Sequence, residues 1–368
     1  MIPILEPDIG DEEIKNVTDA VKSGWVSSQG QFVKQFEHDF AKYHNTKFGL
    51  STSNGTNALH LALKSIGIKK HDEVIVPSLT FVATANAVKY CNANPIFADS
   101  NPEYWCIDPE DVASKVNKRT KAIIPVHLFG HPCDMDFIMD IAEDNDLYVI
   151  EDAAQAHGSE YKGKKVGRFG DISCFSFFGN KTITTGEGGI CITSNQDLAD
   201  SMFLLRDHGM NPKKRYWHDD IGFNYRMTNL QAALGVAQLK KLDDFVSKKR
   251  QIANVYKSEL KDLETEEKVI LHPEMNWAKC NYWTFSILIR SGFKISRDDL
   301  ISFLLKREID SRPFFFPMHI LPPYKNNLSL PCAETLSRIG ISLPSSTKLD
   351  LEEVKIISEN LKISTNET

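Results

Sequence analysis

Short, solidly apolar runs bounded by turn residues alternate along this chain with longer segments of helical period, and that alternation commits it to a layered α/β architecture. Candidate strands are Glu73–Val76, Lys121–Val126, Leu147–Glu151, Ile172–Phe178 and Ile190–Thr193. Apolar at most positions, they read as buried on both faces, the pattern of a mostly parallel sheet. Ile14, Val17 and Val21 form one helical stripe, and Phe32, Phe36, Phe40 and Tyr43 form another. A third helix is predicted to start near Gly55 and to run through Ala58, Leu59, Ala62 and Ile66.

From Thr228 to about Leu263 the chain lacks proline and keeps helical spacing, so it reads as one long helix, bent or broken at Gly235 or at Asp243-Asp244. Beyond it the pattern predicts a strand over Tyr282–Ile289, a helix over Asp298–Arg307 and a final helix over Leu351–Leu361, with Ser364 to Thr368 as a frayed polar end. A chain of 368 residues exceeds one average domain of about 150. The expected division is a large α/β domain over 1–245, including the amino-terminal segment, and a smaller α+β domain over 246–368.

Composition narrows the function classes. With 42% hydrophobic and 25% charged residues the chain matches soluble globular proteins. A net charge of −6 argues against a general polyanion-binding surface, so no nucleic-acid partner is expected. The start, Met1 to Asp8, has no basic segment followed by an apolar core, and no apolar stretch approaches the roughly 20 residues of a membrane span. A soluble, cytoplasmic protein is the expectation. Seven scattered cysteines without a C-x-x-C pair argue against a disulfide framework, and no metal site is expected.

The chemistry concentrates in four stretches. In Phe175-Ser176-Phe177-Phe178-Gly179-Asn180-Lys181-Thr182 an apolar run delivers a lysine to a small, glycine-rich loop. Burial there lowers a lysine's pKa and yields the neutral amine that forms imines. Asp152 ends the apolar run from Leu147 and is followed by Ala153-Ala154-Gln155-Ala156-His157. An acid at that position points into the crevice where α/β sheets bind ligands. Ser53-Asn54-Gly55-Thr56-Asn57 opens a helix, where free backbone N–H groups and the helix dipole suit a phosphate. Phe81, just past the strand ending at Val76, can stack on a planar ring, and Ser176 can offer its hydroxyl to a phosphate. A lysine and an acid at strand ends in one α/β core are what a pyridoxal phosphate enzyme requires.

These residues, together with Gly222-Phe223-Asn224-Tyr225-Arg226-Met227-Thr228-Asn229, resemble the DegT/StrS-type sugar aminotransferases, a branch of the fold-type I pyridoxal phosphate enzymes. The resemblance spans nearly the whole chain, from Gly24-Trp25-Val26-Ser27 to Leu343-Pro344-Ser345. It implies the aspartate-aminotransferase-like fold: a large domain with a mostly parallel central sheet, and a smaller α+β domain at the carboxyl end. It further implies Lys181 as Schiff-base lysine and proton shuttle, Asp152 on the pyridinium nitrogen, Gln155 near the phenolic oxygen and Phe81 stacked on the ring. Gly55, Thr56 and Ser176 would hold the phosphate, and Asn224 would reach the phosphate of a neighbouring subunit, which makes the site a homodimer property. L-Glutamate is the implied amino donor.

Within the family, Phe178-Gly179-Asn180-Lys181, Lys214-Arg215-Tyr216-Trp217-His218-Asp219 and Ser311-Arg312-Pro313-Phe314-Phe315-Phe316-Pro317-Met318-His319 resemble the branch that aminates GDP-4-keto-6-deoxy-D-mannose in supplying a surface polysaccharide such as an O-antigen. Basic and aromatic residues there suit a nucleoside diphosphate: Arg215 and Arg312 can pair with phosphates, and Trp217 or Phe314 can stack on a base. Trp25, Ser27, His218 and His319 complete the expected substrate contacts. The alternatives are the same reaction on a UDP- or dTDP-linked 4-keto-6-deoxy sugar, or a sugar 3-dehydratase. The related dehydratases carry histidine in place of the lysine, and histidine forms no imine, so Lys181 favours amino transfer. Gln155 departs from the acid that some members carry at its position.

Overall fold

The structure is a computed structural model that describes residues 1–365. Seven strands form the central sheet in the spatial order Phe48–Thr52, Gly189–Thr193, Ile172–Ser176, Tyr148–Asp152, Thr120–Ile123, Glu73–Pro77 and Asn94–Ala98. The last five pair in parallel, while Gly189–Thr193 runs against both of its neighbours. The expected fold class is therefore present, and the one reversed strand follows from its hairpin-like return out of the lysine loop. Phe48–Thr52 and Asn94–Ala98 carried too little apolar run to be read as strands; the first four residues of the latter include Asn94 and Pro95.

Helices cover the sheet. Phe36 and Phe40, on the helix Gln31–Tyr43, meet Phe175 and Phe177 edge to face at centroid distances of 5.0–5.3 Å. Burying each such ring contributes about 2–3 kcal/mol, so this cluster clamps the strand that leads to Lys181. The amino-terminal helix Asp11–Lys22 differs from its expected stripe. It buries Glu13 and Ala20, and Ile14 and Val21 face outward. The reason is electrostatic: Glu13 is held inside by Lys241, Gln238 and the Gly10 N–H.

The long helical stretch breaks at Lys241, into Asn229–Lys240 and Leu242–Glu259. Gly235 is not a break. A side chain there would meet the Phe36 ring at 2.9 Å, so the glycine permits two helices to pack closely. The second helix joins two cores: Leu242, Phe245 and Val246 belong to the large one, and Ile252, Ala253 and Tyr256 to a smaller one. That smaller core lies on an antiparallel sheet ordered Val269–Leu271, Phe285–Ile289, Gly340–Leu343 and Arg312–Pro313. Phe314, Met318 and Leu336 return to the large core. The final helix, Leu351–Ser364, continues past its expected end, and Ser364 is buried rather than frayed; the rest of that expected polar end, after Thr365, lies outside the described residues. Among the described residues no helix is long and apolar enough to cross a membrane.

Candidate active site

Strand alternation sends Glu151 and Asp152 to opposite faces. Glu151 is wholly buried and accepts from the N–H groups of Gly167, Phe169 and Gly170, from the Ser173 hydroxyl and from His127. Burial works against its charge, but His127 and these N–H groups outweigh it and hold the carboxyl below its ordinary pKa. His127 takes the Cys133 N–H on Nδ1 at 3.0 Å, so the proton on Nε2 is the one given to Glu151. Glu151 thereby pins the loop after residue 166 beneath the strand that carries Asp152.

Asp152 faces the other way, into a cavity of about 330 Å³ at the carboxyl ends of the strands. Its carboxylate accepts from the Thr84 hydroxyl at 2.8 Å and from the Ala154 N–H at 3.2 Å. Two bonds leave lone pairs without a protein partner. Burial consequently raises its pKa, against the opposing pull of Thr84, Ala154 and the Lys181 charge.

Lys181 enters the same cavity from the loop that follows Ile172–Ser176. Phe177 closes that loop on itself: its N–H donates to Gly188 O, and its carbonyl accepts from the Thr185 N–H and the Thr184 hydroxyl. The flanking Thr182 and Ile183 are buried, whereas Phe178 is exposed. Burial lowers the Lys181 amine to about 8, with Asp152 pulling partly the other way. Its Nζ lies 3.8 Å from the centroid of the Trp283 ring.

The corner opposite is built by the helix Gly55–Ser65, capped by Asn54, whose side chain accepts the Asn57 N–H. A Cβ at Gly55 would stand 2.7 Å from the Ser176 Cβ, so only glycine lets the helix end and Ser176 meet. Gln155 accepts the Phe129 N–H through Oε1 at 2.8 Å, which leaves its amide nitrogen as the donor for a group in the cavity. The buried Thr80 hydroxyl, on the wall, has no hydrogen-bond partner. Phe81 sits at the mouth, edge-on to Phe315. These features match a phosphorylated pyridine aldehyde: an amine poised to be neutral, a buried carboxylate short of partners, a helix N-terminus beside a serine, and an aromatic face.

The structure thus gathers Gly55, Thr56, Phe81, Asp152, Gln155, Ser176 and Lys181 around one cavity. Asn224, Trp25, Ser27, Arg215, Trp217, His218 and Arg312 lie outside its wall. Asn224 is exposed and accepts from Arg226; Trp217 donates to Asp219, and Arg312 donates to Asp310. Two expected substrate contacts need correction. Phe314 packs between Trp105 and Phe129 in the core, and its neighbour Phe315 is the ring on the cavity wall. His319 is buried between Ser78 and Glu334, both ring nitrogens engaged, and serves to brace that segment. Sequence reading passed over Thr84, Asn180, Glu187 and Trp283 on the wall. Thr84 lies in the first turn of the helix Ala83–Tyr90, just after the Thr80–Phe81 stretch, and was findable; Trp283 comes from a segment about a hundred residues further along the chain than Lys181 and was not.

The pattern of the DegT/DnrJ/EryC1/StrS aminotransferase family matches residues 7–362, and the chain belongs to that family of pyridoxal phosphate enzymes that aminate sugars. Among curated relatives it is 46% identical to the GDP-perosamine synthase of Escherichia coli O157:H7 over 361 residues, 98% of this chain and 97% of that one. It is 44% identical to the GDP-perosamine synthase of Vibrio cholerae, covering 98% of each. Among solved structures, the PLP-form of the putative sugar aminotransferase Spr1654 from Streptococcus pneumoniae superimposes with a TM-score of 0.93 at 27% identity, covering all of this chain and 99% of that one.

Proposed function

We propose that this chain moves the amino group of L-glutamate to the 4-keto carbon of GDP-4-keto-6-deoxy-D-mannose, giving 2-oxoglutarate and GDP-perosamine. The observation that carries the chemistry is the shared cavity of Lys181 and Asp152; the choice of sugar nucleotide is supported by the relatives named GDP-perosamine synthase. When bound, pyridoxal phosphate supplies an aldehyde that carries the amino group and a ring that takes up the electron pair left at the donor's α-carbon.

The chain's own residues do the rest. Lys181 would hold the cofactor through Nζ and, once freed by the donor, its amine would move the proton off the donor's α-carbon and, in the second half, deliver one to C4 of the sugar. Asp152, oriented by Thr84 and Ala154, would accept the ring nitrogen's N–H and keep it protonated. Gln155 would donate to the phenolic oxygen, and Phe81 would cover a ring face. Gly55, Thr56 and Ser176 would hold the phosphate at the helix N-terminus.

Asn224 stands outside its own cavity and, in this reading, completes the phosphate site of a partner in a homodimer. Trp25, Ser27, Arg215, Trp217, His218 and Arg312 are then available to the nucleotide at the assembled mouth. Both substrates are charged and do not cross membranes unaided, which supports reading the reaction as cytoplasmic. The test is mass spectrometry of products from glutamate with the GDP-, UDP- and dTDP-linked 4-keto-6-deoxy sugars. A GDP-4-amino sugar as the main product is expected; a deoxygenated, nitrogen-free product, or preference for another nucleotide, would sink this assignment.

A further inference from the structure

Asn281 and Trp283, in the segment leading into the strand Phe285–Ile289, straddle the lysine. The Trp283 indole N–H donates to the carbonyl of Asn180, the residue before Lys181, at 2.7 Å. The Asn281 amide donates to the hydroxyl of Thr182, the residue after it, at 3.4 Å, and to His157 O at 2.9 Å. Between them Tyr282 takes a left-handed φ of 49°, a conformation that costs about 1 kcal/mol or more and persists only when its surroundings enforce it. The surroundings here are specific. Asn281 Oδ1 accepts the Trp283 backbone N–H, and the buried Lys249 donates to the carbonyls of both Trp283 (3.1 Å) and Ser345 (2.7 Å). Lys249 belongs to Leu242–Glu259, the helix shared by the two cores.

We propose that Trp283, held from behind by Lys249 and Asn281, is a positioning residue for Lys181: its N–H fixes the lysine loop, and its ring face stabilises the protonated amine. The proposal rests on Lys181 being the reactive lysine of the function above. A ring face 3.8 Å from an amine attracts the ammonium and not the neutral form. Of the titratable groups near the amine, Asp152 favours the ammonium as well, and His157, wholly buried, is held far below its ordinary pKa and stays uncharged. Glu187 also lines the cavity. Trp283 thus offsets part of the burial that drives the amine toward neutrality, so a proton taken up by the freed lysine stays on it until delivery.

The experiment follows Lys181 in the full-length protein stripped of cofactor, by amine labelling against pH with peptide mapping. Trp283→Leu keeps the site apolar but removes the ring, and the labelling midpoint of Lys181 should fall by about 0.5 to 1 pH unit. Trp283→Phe keeps a ring and removes the N–H; its midpoint should stay near the wild-type value while hydrogen exchange of the 178–184 segment rises severalfold. An unchanged midpoint in Trp283→Leu overturns the ring's role, and unchanged exchange in Trp283→Phe overturns the grip on the loop. If Trp283→Leu does not fold, a Trp283→Phe midpoint lowered as far as burial alone dictates overturns the proposal equally. Failure of borohydride to fix pyridoxal phosphate on wild-type Lys181 would instead strike the function itself, and the labelling data are independent of it.

Discussion

Lys181 and Asp152 set each other's charge, and their pKa directions give testable signs. Burial lowers the lysine amine to about 8, so below that pH it is mostly ammonium, the form that does not attack an aldehyde. Uptake of pyridoxal phosphate by the stripped protein should therefore rise about tenfold per pH unit up to about 8 and then level, as read from the rate of absorbance change. Because Asp152 holds that value up, Asp152→Asn should move the midpoint lower while turnover falls by at least about a hundredfold. Near-normal turnover in a folded Asp152→Asn protein would remove its assigned role. Lys181→Ala should abolish the borohydride adduct altogether. Both candidates were readable from sequence because Asp152 ends an apolar run and Lys181 follows one by a few loop residues, and such runs mark buried strands. Phe314 and His319 were misread for the converse reason: aromatic and basic residues suggest ligand contact, but only packing tells which ring turns inward, and here it is Phe315 that reaches the cavity.

Single elements are held in place by a few polar anchors. Glu151 ties the strand Tyr148–Asp152 to the loop after residue 166, and its folded pKa is depressed. The stability it contributes is present above its ordinary pKa and is lost as pH falls through the folded value. Glu151→Gln places an amide N–H2 among five donors and should cost about 2–4 kcal/mol at neutral pH, with a flatter loss of stability in acid, measured by denaturant unfolding across pH. Gly55→Ala tests another junction. Its Cβ would push the start of Gly55–Ser65 away from Ser176, so cofactor retention should weaken while the far-ultraviolet spectrum is unchanged. Helix positions were legible from periodicity, but their buried faces were not always so. The helix Asp11–Lys22 hides a charged glutamate and exposes Ile14 and Val21, because a salt bridge to Lys241 lies across the fold.

At the scale of the whole molecule, Trp25, Trp217 and Ile221 are exposed and Asn224 stands outside its own cavity, which supports the proposed homodimer. Sedimentation should give a particle of twice 41.6 kDa. Mixing Lys181→Ala subunits with Asn224→Ala subunits should restore part of the activity that neither homodimer has, since one site of the hybrid then carries both intact residues. No recovery after verified subunit exchange would show that each chain builds its site alone.

By itself the sequence determined the α/β class and the place of most central strands, and it marked the candidate lysine and acid, since solid apolar runs and flanking turn residues act locally. Only the tertiary structure decided which distant side chains meet them. Thr84 on Asp152, Trp283 under Lys181 and Ser176 against Gly55 are contacts between segments far apart in the chain, and close packing, which no local pattern encodes, selects them.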